Sequence, residues 1–551
     1  MALDPMQSRS MFAGQKPGKP RDVSAFNVDS AMGEIADIEA ERQNHLQNWR
    51  SAFNLLQPDR QTLDNQQPGQ NRAPQETFDS YPVRACQHGI GNIIGAMTPP
   101  EQEWCAIEPG SGIPGDRKDA ITKGTEKITE VVFDYLGRSR FATEAHAMAS
   151  DLVISTGFLV IDKGTIEEPF RVRAIPMGEC YPVEGPDGEI RNVYRKYKCR
   201  VSHIRETWPA ATLSIRLARI LKDKPREKVE LVEATTYEPK KGYRFTVFDP
   251  YDKSVIYDVP PSDPNEPSRW ITPRLYKRPG DNYGYGPAII ALPTIRTINK
   301  LQEISLKAGA RQYQPPILID SMSGLNPHTV RLTPNSVGLV DGAALAGRQP
   351  FYSLPASGVP QWGEMKIADM RRIIDDIMFA TDVVPPVEAS KGMTAFEVSV
   401  RRQQVLLQQG VNLGRLQREF PFAVMRRCVW ILASFGIVPP IKIDGKAFAV
   451  RYLGPLAQAQ DSEKASNILA FVSQTRGALG DQMAALGIRL EDVAATAGEM
   501  WPGVPNSLLR DEQERVAIQQ QAAQAAAAQA AAAQQPVAQQ SALPGAGRPM
   551  A

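Results

Sequence analysis

At 551 residues the chain is long enough for several domains, and its 63 Lys and Arg against 61 Asp and Glu leave a net charge of only +2. That balance excludes a global field strong enough to force a nucleic-acid partner, so charge must be read locally. The five scattered cysteines, Cys86, Cys105, Cys180, Cys199 and Cys428, make no CxxC pair and suit a reducing compartment. No stretch is apolar enough to span a bilayer, and residues 1–21 lack the apolar core of a signal peptide, so assembly in a cytosol is expected.

In chain order, residues 1–28 read as a polar arm. Ile35, Ile38, His45, Leu46, Trp49 and Phe53 recur at helical spacing and predict a helix over 29–55. Residues 57–78, rich in Gln, Pro, Asn and Asp, read as a loop. A second helix is predicted over 81–97, stopped by Pro99-Pro100. Its Gly89, Gly91 and Gly95 fail the dinucleotide spacing and suit close helix packing instead. Helices follow over 117–138 and 141–156, then short strands over 157–161 and 170–175. Residues 181–197 predict a hairpin about the turn Gly185-Pro186-Asp187-Gly188. A helical stretch over 201–221 is interrupted at Pro209. Four runs, 229–237, 243–248, 254–259 and 269–275, read as strands of one antiparallel sheet. The first half is thus expected to be α+β.

Gly286-Pro287 opens a long helix in which Pro293 should cause a kink or restart. Ile295, Ile298, Leu301 and Ile304 form its apolar stripe, and Pro315-Pro316 ends it. Short strands over 317–319, 337–340 and 351–354 precede another helix over 362–381. Met370, Ile373, Ile374, Ile377 and Met378 line one face of that helix. A run over 392–436 begins with a capping box, Thr394 with Glu397, and carries Pro421, which should kink or split it. A strand then ends at 450–457, and helices are predicted over 462–479, 482–486 and 490–498. Residues 510–535 turn to Ala and Gln, compatible with low-complexity disorder or with a helix completed by neighbours.

No catalytic or metal-binding pattern emerges. His45, His88, His146, His203 and His328 lie in different elements, with no HExxH, GxSxG or GxxxxGK[ST] arrangement. His45, His88 and His146 read as core or half-buried helix residues. Asp369, Asp375 and Asp376, beside Arg371 and Arg372, read as an ion-pair face, not a metal cluster.

Four words occur in order along the chain: Thr98-Pro-Pro-x-x-x-Trp104; Tyr283-Gly-x-Gly-Pro287 with Ala291-Leu-Pro-x-Ile295 and Pro315-Pro-Ile-Leu318; Met393-Thr-Ala-x-Glu397 with Leu413-Gly-Arg-Leu-Gln-x-Glu419; and Tyr452-x-Gly-Pro-Leu-Ala457. This order resembles the head-to-tail connector, or portal, proteins of short-tailed bacteriophages, over most of residues 81–460. The resemblance implies an α+β portal-type fold in a ring-forming subunit that is not an enzyme and takes no cofactor. After the arm would come a wing over 29–285 and a first stem helix over 286–312. A small β-containing clip over 313–361, a second stem helix over 362–382 and a tunnel loop over 383–393 would follow. The tunnel helix and its return to the wing would occupy 394–460 and a helical crown 461–509. Residues 510–535 could form a barrel helix, and 536–551 a disordered tail.

The resemblance further implies a homo-oligomer, a dodecamer, at one capsid vertex of the virion. Double-stranded DNA would pass through its channel. Its partners would be the terminase packaging motor, then the tail adaptor, with capsid and scaffold or internal core proteins around it, and no membrane. The candidate channel residues are Arg296, Lys300, Lys307 and Arg311, with Glu303 as the acid among them; Arg371 and Arg372, balanced by Asp369, Asp375 and Asp376; and Lys391, Arg401, Arg402 and Arg415 near the constriction. A solvated face or a subunit–subunit salt bridge remains open for each. An internal core or ejection protein is the alternative reading of the whole chain.

Overall fold

Asn27 starts the first described helix by accepting a hydrogen bond from the Ser30 amide at 3.1 Å, the donor an N-cap side chain normally satisfies. In the computed structural model, residues 26–58, 77–100, 102–110, 118–313, 317–319, 351–353, 361–380, 414–441, 447–453 and 464–478 are described, with a few isolated positions besides. The chain divides into two compact units, residues 1–105 with 130–443, and residues 106–129 with 444–551.

In the first unit, α1 (Val28–Leu56) buries Ile35, Ile38, Trp49 and Phe53 of the predicted stripe, with His45 and Leu46 half-buried, and Leu56 besides. The helix α2 (Tyr81–Met97) carries Pro in its first turn, where a missing amide costs nothing. A Cβ on its Gly89 would lie 2.0 Å from the Met378 carbonyl oxygen, so small-residue packing holds there; Gly91 and Gly95 face open space and do not share that role.

The helix α4 (Phe141–Leu152) stops four residues short of expectation. Its next carbonyls are claimed elsewhere: Val153 and Ile154 accept from the Ala288 and Gly286 amides at 3.1 and 3.0 Å. Strand β2 (Leu159–Lys163) then lies between β3 (Phe170–Ala174) and β9 (Trp270–Ile271), antiparallel to both. A five-stranded antiparallel sheet has the order β4 (Cys180–Glu184), β5 (Ile190–Arg200), β6 (Lys228–Glu238), β7 (Gly242–Asp249) and β8 (Ser254–Val259). The expected turn joins β4 to β5, with Gly188 at φ 80°. The run at 269–275 does not continue this sheet as expected. Only Trp270 and Ile271 form a strand, and they pair with Val160 and Leu159.

Two short helices, α5 (Val201–Thr207) and α6 (Ile215–Asp223), cover the large sheet. Val201, Ile204, Leu217, Leu231, Val247 and Ile256 form the core between them. The Ser214 hydroxyl caps α6 by accepting from the Leu217 amide at 3.2 Å.

The helix α7 (Pro287–Tyr313) runs through Pro293 without the expected restart, a length of roughly 40 Å at 1.5 Å per residue. It packs along α8 (Gln361–Ile377). Between them in sequence, β10 (Ile317–Ile319) pairs antiparallel with β11 (Phe351–Ser353). A helix, a small β element and a returning helix therefore leave the body together. The expected strand at 337–340 lies outside the described residues, as do the tunnel loop and the Thr394–Glu397 box.

Ile295 and Ile298 are fully buried, but Ile304 is 53% exposed; on α8 the buried set is Ile367, Ile374 and Met378, while Ile373 is 47% exposed. Each stripe is thus covered only in part, and on α8 the exposed Ile373 lies between the buried Ile367 and Ile374 in sequence.

Residues 414–419 are helical, Phe420 leaves the helix at φ −114°, ψ −80°, and Pro421 opens α9 (Pro421–Ser434). The proline splits the run, one of its two expected effects. Trp104 is buried edge-on against Phe133 at 5.0 Å and stacked on Phe141, which stacks on Phe420. That stack gives the Trp of the first sequence word a packing role.

In the second unit, β1 (Cys105–Pro109) pairs with β12 (Phe448–Tyr452). Arg451 reaches Glu108 at 3.0 Å, and the Ile107 amide donates to Thr129 Oγ1 at 3.2 Å on α3 (Lys118–Arg138). Residues 464–478 are helical.

Candidate functional site

The site is the paired helices α7 and α8 and the body residues that root them. The Tyr283–Pro287 word explains itself in backbone terms. A Cβ on Gly286 would sit 1.8 Å from the Val153 carbonyl oxygen, and one on Gly284 2.9 Å from that of Tyr276. Only glycine lets α7 begin against the 153–154 backbone. Tyr283 is buried and its hydroxyl donates to the Cys180 carbonyl at 2.8 Å. Gly284 is gripped on both sides: its amide donates to Thr156 Oγ1, and its carbonyl accepts from the Ser155 hydroxyl, each at 2.8 Å.

The N-terminus of α2 clamps both helices. Asn299 Oδ1 on α7 accepts from the Phe78 amide at 2.7 Å and the Asp79 amide at 3.3 Å. On α8, Arg371 donates to Asp79 at 3.1 Å and lies 4.8 Å over the Tyr81 ring, while the Tyr81 hydroxyl donates to Asp375. Burial first, then the hydrogen bond to Asp375, push the Tyr81 phenol up to about 12. Arg371 was expected to be balanced by the aspartates of its own helix. It is held instead by Asp79, which is 5% exposed, so its charge belongs to the clamp.

The remaining charges sort by position. Lys300 and Lys307 are 66% and 68% exposed and both donate to Glu303, at 2.8 and 2.5 Å. These two bonds hold the Glu303 carboxyl below its usual range. Arg296 is exposed, with Asn48 Oδ1 at 3.5 Å. Arg372 and Arg415 are exposed. Arg311 lies in the last turn of α7, with its side chain outside the described set, and Lys391, Arg401 and Arg402 lie outside the described residues.

Below the helices sits an ionic hub that the sequence did not announce. Arg274 is 1% exposed. It donates to both carboxylate oxygens of Glu419, at 2.7 Å from Nη2 and 2.8 Å from its amide, to Glu184 at 2.9 Å and to the Gly188 carbonyl at 2.9 Å. Lys277 also pairs with Glu184. Burial alone would depress the Arg274 guanidinium, but Glu419 and then Glu184 outweigh it and push it up. The hub joins the β4–β5 hairpin, the strand end and the helical residues 414–419. A second buried arginine, Arg427 on α9, donates to Glu266 at 2.9 Å and to the Ile161 carbonyl at 3.1 Å; burial depresses its guanidinium despite Glu266.

The histidines divide differently from expectation. His45 is half-buried and stacked on Trp49, whereas His88 and His146 are exposed, because they fall on the outer faces of α2 and α4. His45 lies beside Glu41 and Asp281, the one metal-ligand cluster among the described residues. No helix among the described residues is long and apolar enough to cross a membrane.

The architecture is that of a mixed helix-and-sheet subunit with a helix–β–helix excursion. Two solved structures share distant similarity with it. A chain of the virion of a native gene transfer agent particle is 13% identical, with TM-score 0.32, over 64% of this chain and 84% of that one. A chain from the neck of an empty gene transfer agent particle, computed with C6 symmetry, is 13% identical, with TM-score 0.36, over 73% and 90%. No curated protein matches the sequence. Residues 28–509 match the bacteriophage head to tail connecting protein family, and the chain belongs to it. That family is one of structural connectors, not of enzymes.

Proposed function

We propose that the chain is the portal subunit of a short-tailed phage, forming a closed ring at one capsid vertex through which double-stranded DNA is packaged and later ejected. The observation that carries this reading is the pair α7 and α8, rooted in the body and leaving it with uncovered apolar side chains. Ile304 and Leu306 are each 53% exposed, Met365 70% and Ile373 47%. Exposed apolar surface of this kind calls for a partner, and identical copies in a rotational ring supply one. Twelve copies is the number the family resemblance implies. The helices of successive copies then wall the bore.

A channel wall must hold DNA loosely, because phosphate contacts add affinity and the ring multiplies each of them. Two exposed lysines sharing one glutamate, and an arginine tied to Asp79, fit that requirement. Arg296, Arg372 and Arg415 remain as exposed positive groups, with Lys391, Arg401 and Arg402 at the tunnel and Arg311 at the outer end of α7. The β10–β11 end serves the terminase motor first and the tail adaptor afterwards, and the body meets capsid and scaffold or internal core proteins. Fuel is burned by another protein.

Replacing Lys391, Arg401 and Arg402 together with Ala is expected to leave rings intact while packaged or retained DNA falls by at least about tenfold, given the weight of ring-multiplied phosphate contacts. Complementation of a portal-null phage, scored by DNA-filled particles, checks it. Full packaging by the triple variant removes these side chains from the mechanism.

A further inference from the structure

Glu41 and His45 stand one turn apart on α1, so their side chains share a face. Asp281 reaches the same point from the segment that leads into α7. One ligand atom from each of the three lies within 4.8 Å of the others, and all three residues are half-buried. The surroundings fix two of them. Glu41 is oriented by Asn282, whose amide donates to Oε1 at 2.9 Å and whose Nδ2 donates to Oε2 at 2.6 Å. Each carboxylate oxygen keeps a free lone pair. The His45 ring is stacked on Trp49 at 5.4 Å, and Trp49 is itself buried edge-on against Tyr283 at 5.1 Å.

Among the described residues neither the His45 nor the Asp281 side chain has a hydrogen-bond or ion-pair partner. Two carboxylates this close repel one another, and an imidazole beside them would ordinarily pair with one. Here the three ligand atoms lie together, and among the described residues no ion pair joins them. Metal–ligand bonds of about 2.0–2.2 Å place neighbouring ligand atoms roughly 3–4 Å apart, so closing the trio on an ion takes small side-chain adjustments. A ligating carboxylate held by hydrogen bonds from outside is the usual second layer of such sites.

We propose that Glu41, His45 and Asp281 bind one divalent transition-metal cation, with water completing its coordination. One imidazole with two carboxylates suits Zn²⁺, Co²⁺ or Mn²⁺ better than Mg²⁺ or Ca²⁺, which take oxygen sets. The ion staples α1 to the segment that carries Tyr283 and Gly286 into α7. It acts on the root of the helix pair and not on the bore, so the proposal stands or falls independently of the DNA-channel reading.

The test uses the untagged full-length protein stripped with a chelator. Co²⁺ is titrated while its visible d–d absorption is followed, and Zn²⁺ is then used to displace it. The expected result is saturable binding of one Co²⁺ per chain, unaffected by excess Mg²⁺. His45→Gln and Asp281→Asn should each weaken it at least about tenfold. The metal-free variants should melt at the temperature of the metal-free parent, while only the parent should melt higher with Zn²⁺. Absence of saturable binding, or equal binding by the parent and both variants, overturns the proposal.

Discussion

Replacing Arg274 with Ala is expected to cost about 3–5 kcal/mol, the range for removing one partner from a buried ion pair. The cost comes less from lost attraction than from what is left behind. Glu419 is 16% and Glu184 21% exposed, and without the guanidinium Glu419 keeps there only the residue-274 amide, with no positive charge, while Glu184 keeps Lys277. The hub also ties the helical residues 414–419 to the β4–β5 hairpin, so its loss loosens that segment from the sheet. Urea unfolding followed by tryptophan fluorescence measures the effect. A paired variant sharpens it: with Glu419→Leu added to Arg274→Met, most of the loss should return, because an apolar pair of similar volume carries no unpaired charge. A single variant as stable as the parent would show that the hub does not hold the fold.

Gly286→Ala should be similarly damaging, by about 2–5 kcal/mol, from overpacking and two endangered backbone hydrogen bonds. The new Cβ would lie 1.8 Å from the Val153 oxygen and 2.2 Å from its carbon, and backbone cannot rotate out of the way as a side chain can. The start of α7 must retreat from residues 153–154, weakening the bonds donated by the Gly286 and Ala288 amides. The same substitution farther along the helix provides the control. Gly309 has nothing within 4 Å of the added carbon, so Gly309→Ala should be neutral or stabilising by up to about 1 kcal/mol. Thermal melts of the two variants should therefore move in opposite directions or differ by many degrees. Equal melts would remove the packing explanation for the Gly in this word.

These two sites show what the sequence could and could not convey. Helical periodicity located α1, α2 and α3 almost to the residue, because each has a continuous buried stripe and a punctuating Asn, Pro or Gly. The Gly185–Gly188 turn placed the β4–β5 hairpin. Pro421 correctly marked a break, since a ring in place of an amide leaves the chain little choice. Pairings made far along the chain were not legible. Strand β1 meets β12 from the other end of the sequence, and the Trp270–Ile271 strand joins β2 instead of its near neighbours. Arg371 has three aspartates on its own helix, yet its partner is Asp79. Periodicity also cannot separate a face that meets a core from one left for another molecule, so the stripes gave no sign that Ile304 and Ile373 are exposed. Glu41 and His45 were one turn apart in plain view, but Asp281 comes from a distant segment, so no spacing rule could gather the three.

Averaged electron micrographs of the purified full-length protein test the central claim most directly. The account predicts annular particles of identical copies with an open bore that admits a DNA duplex, its wall made of α7 and α8. A solid, non-annular particle, or a ring in which residues 286–385 lie far from the axis, would contradict it.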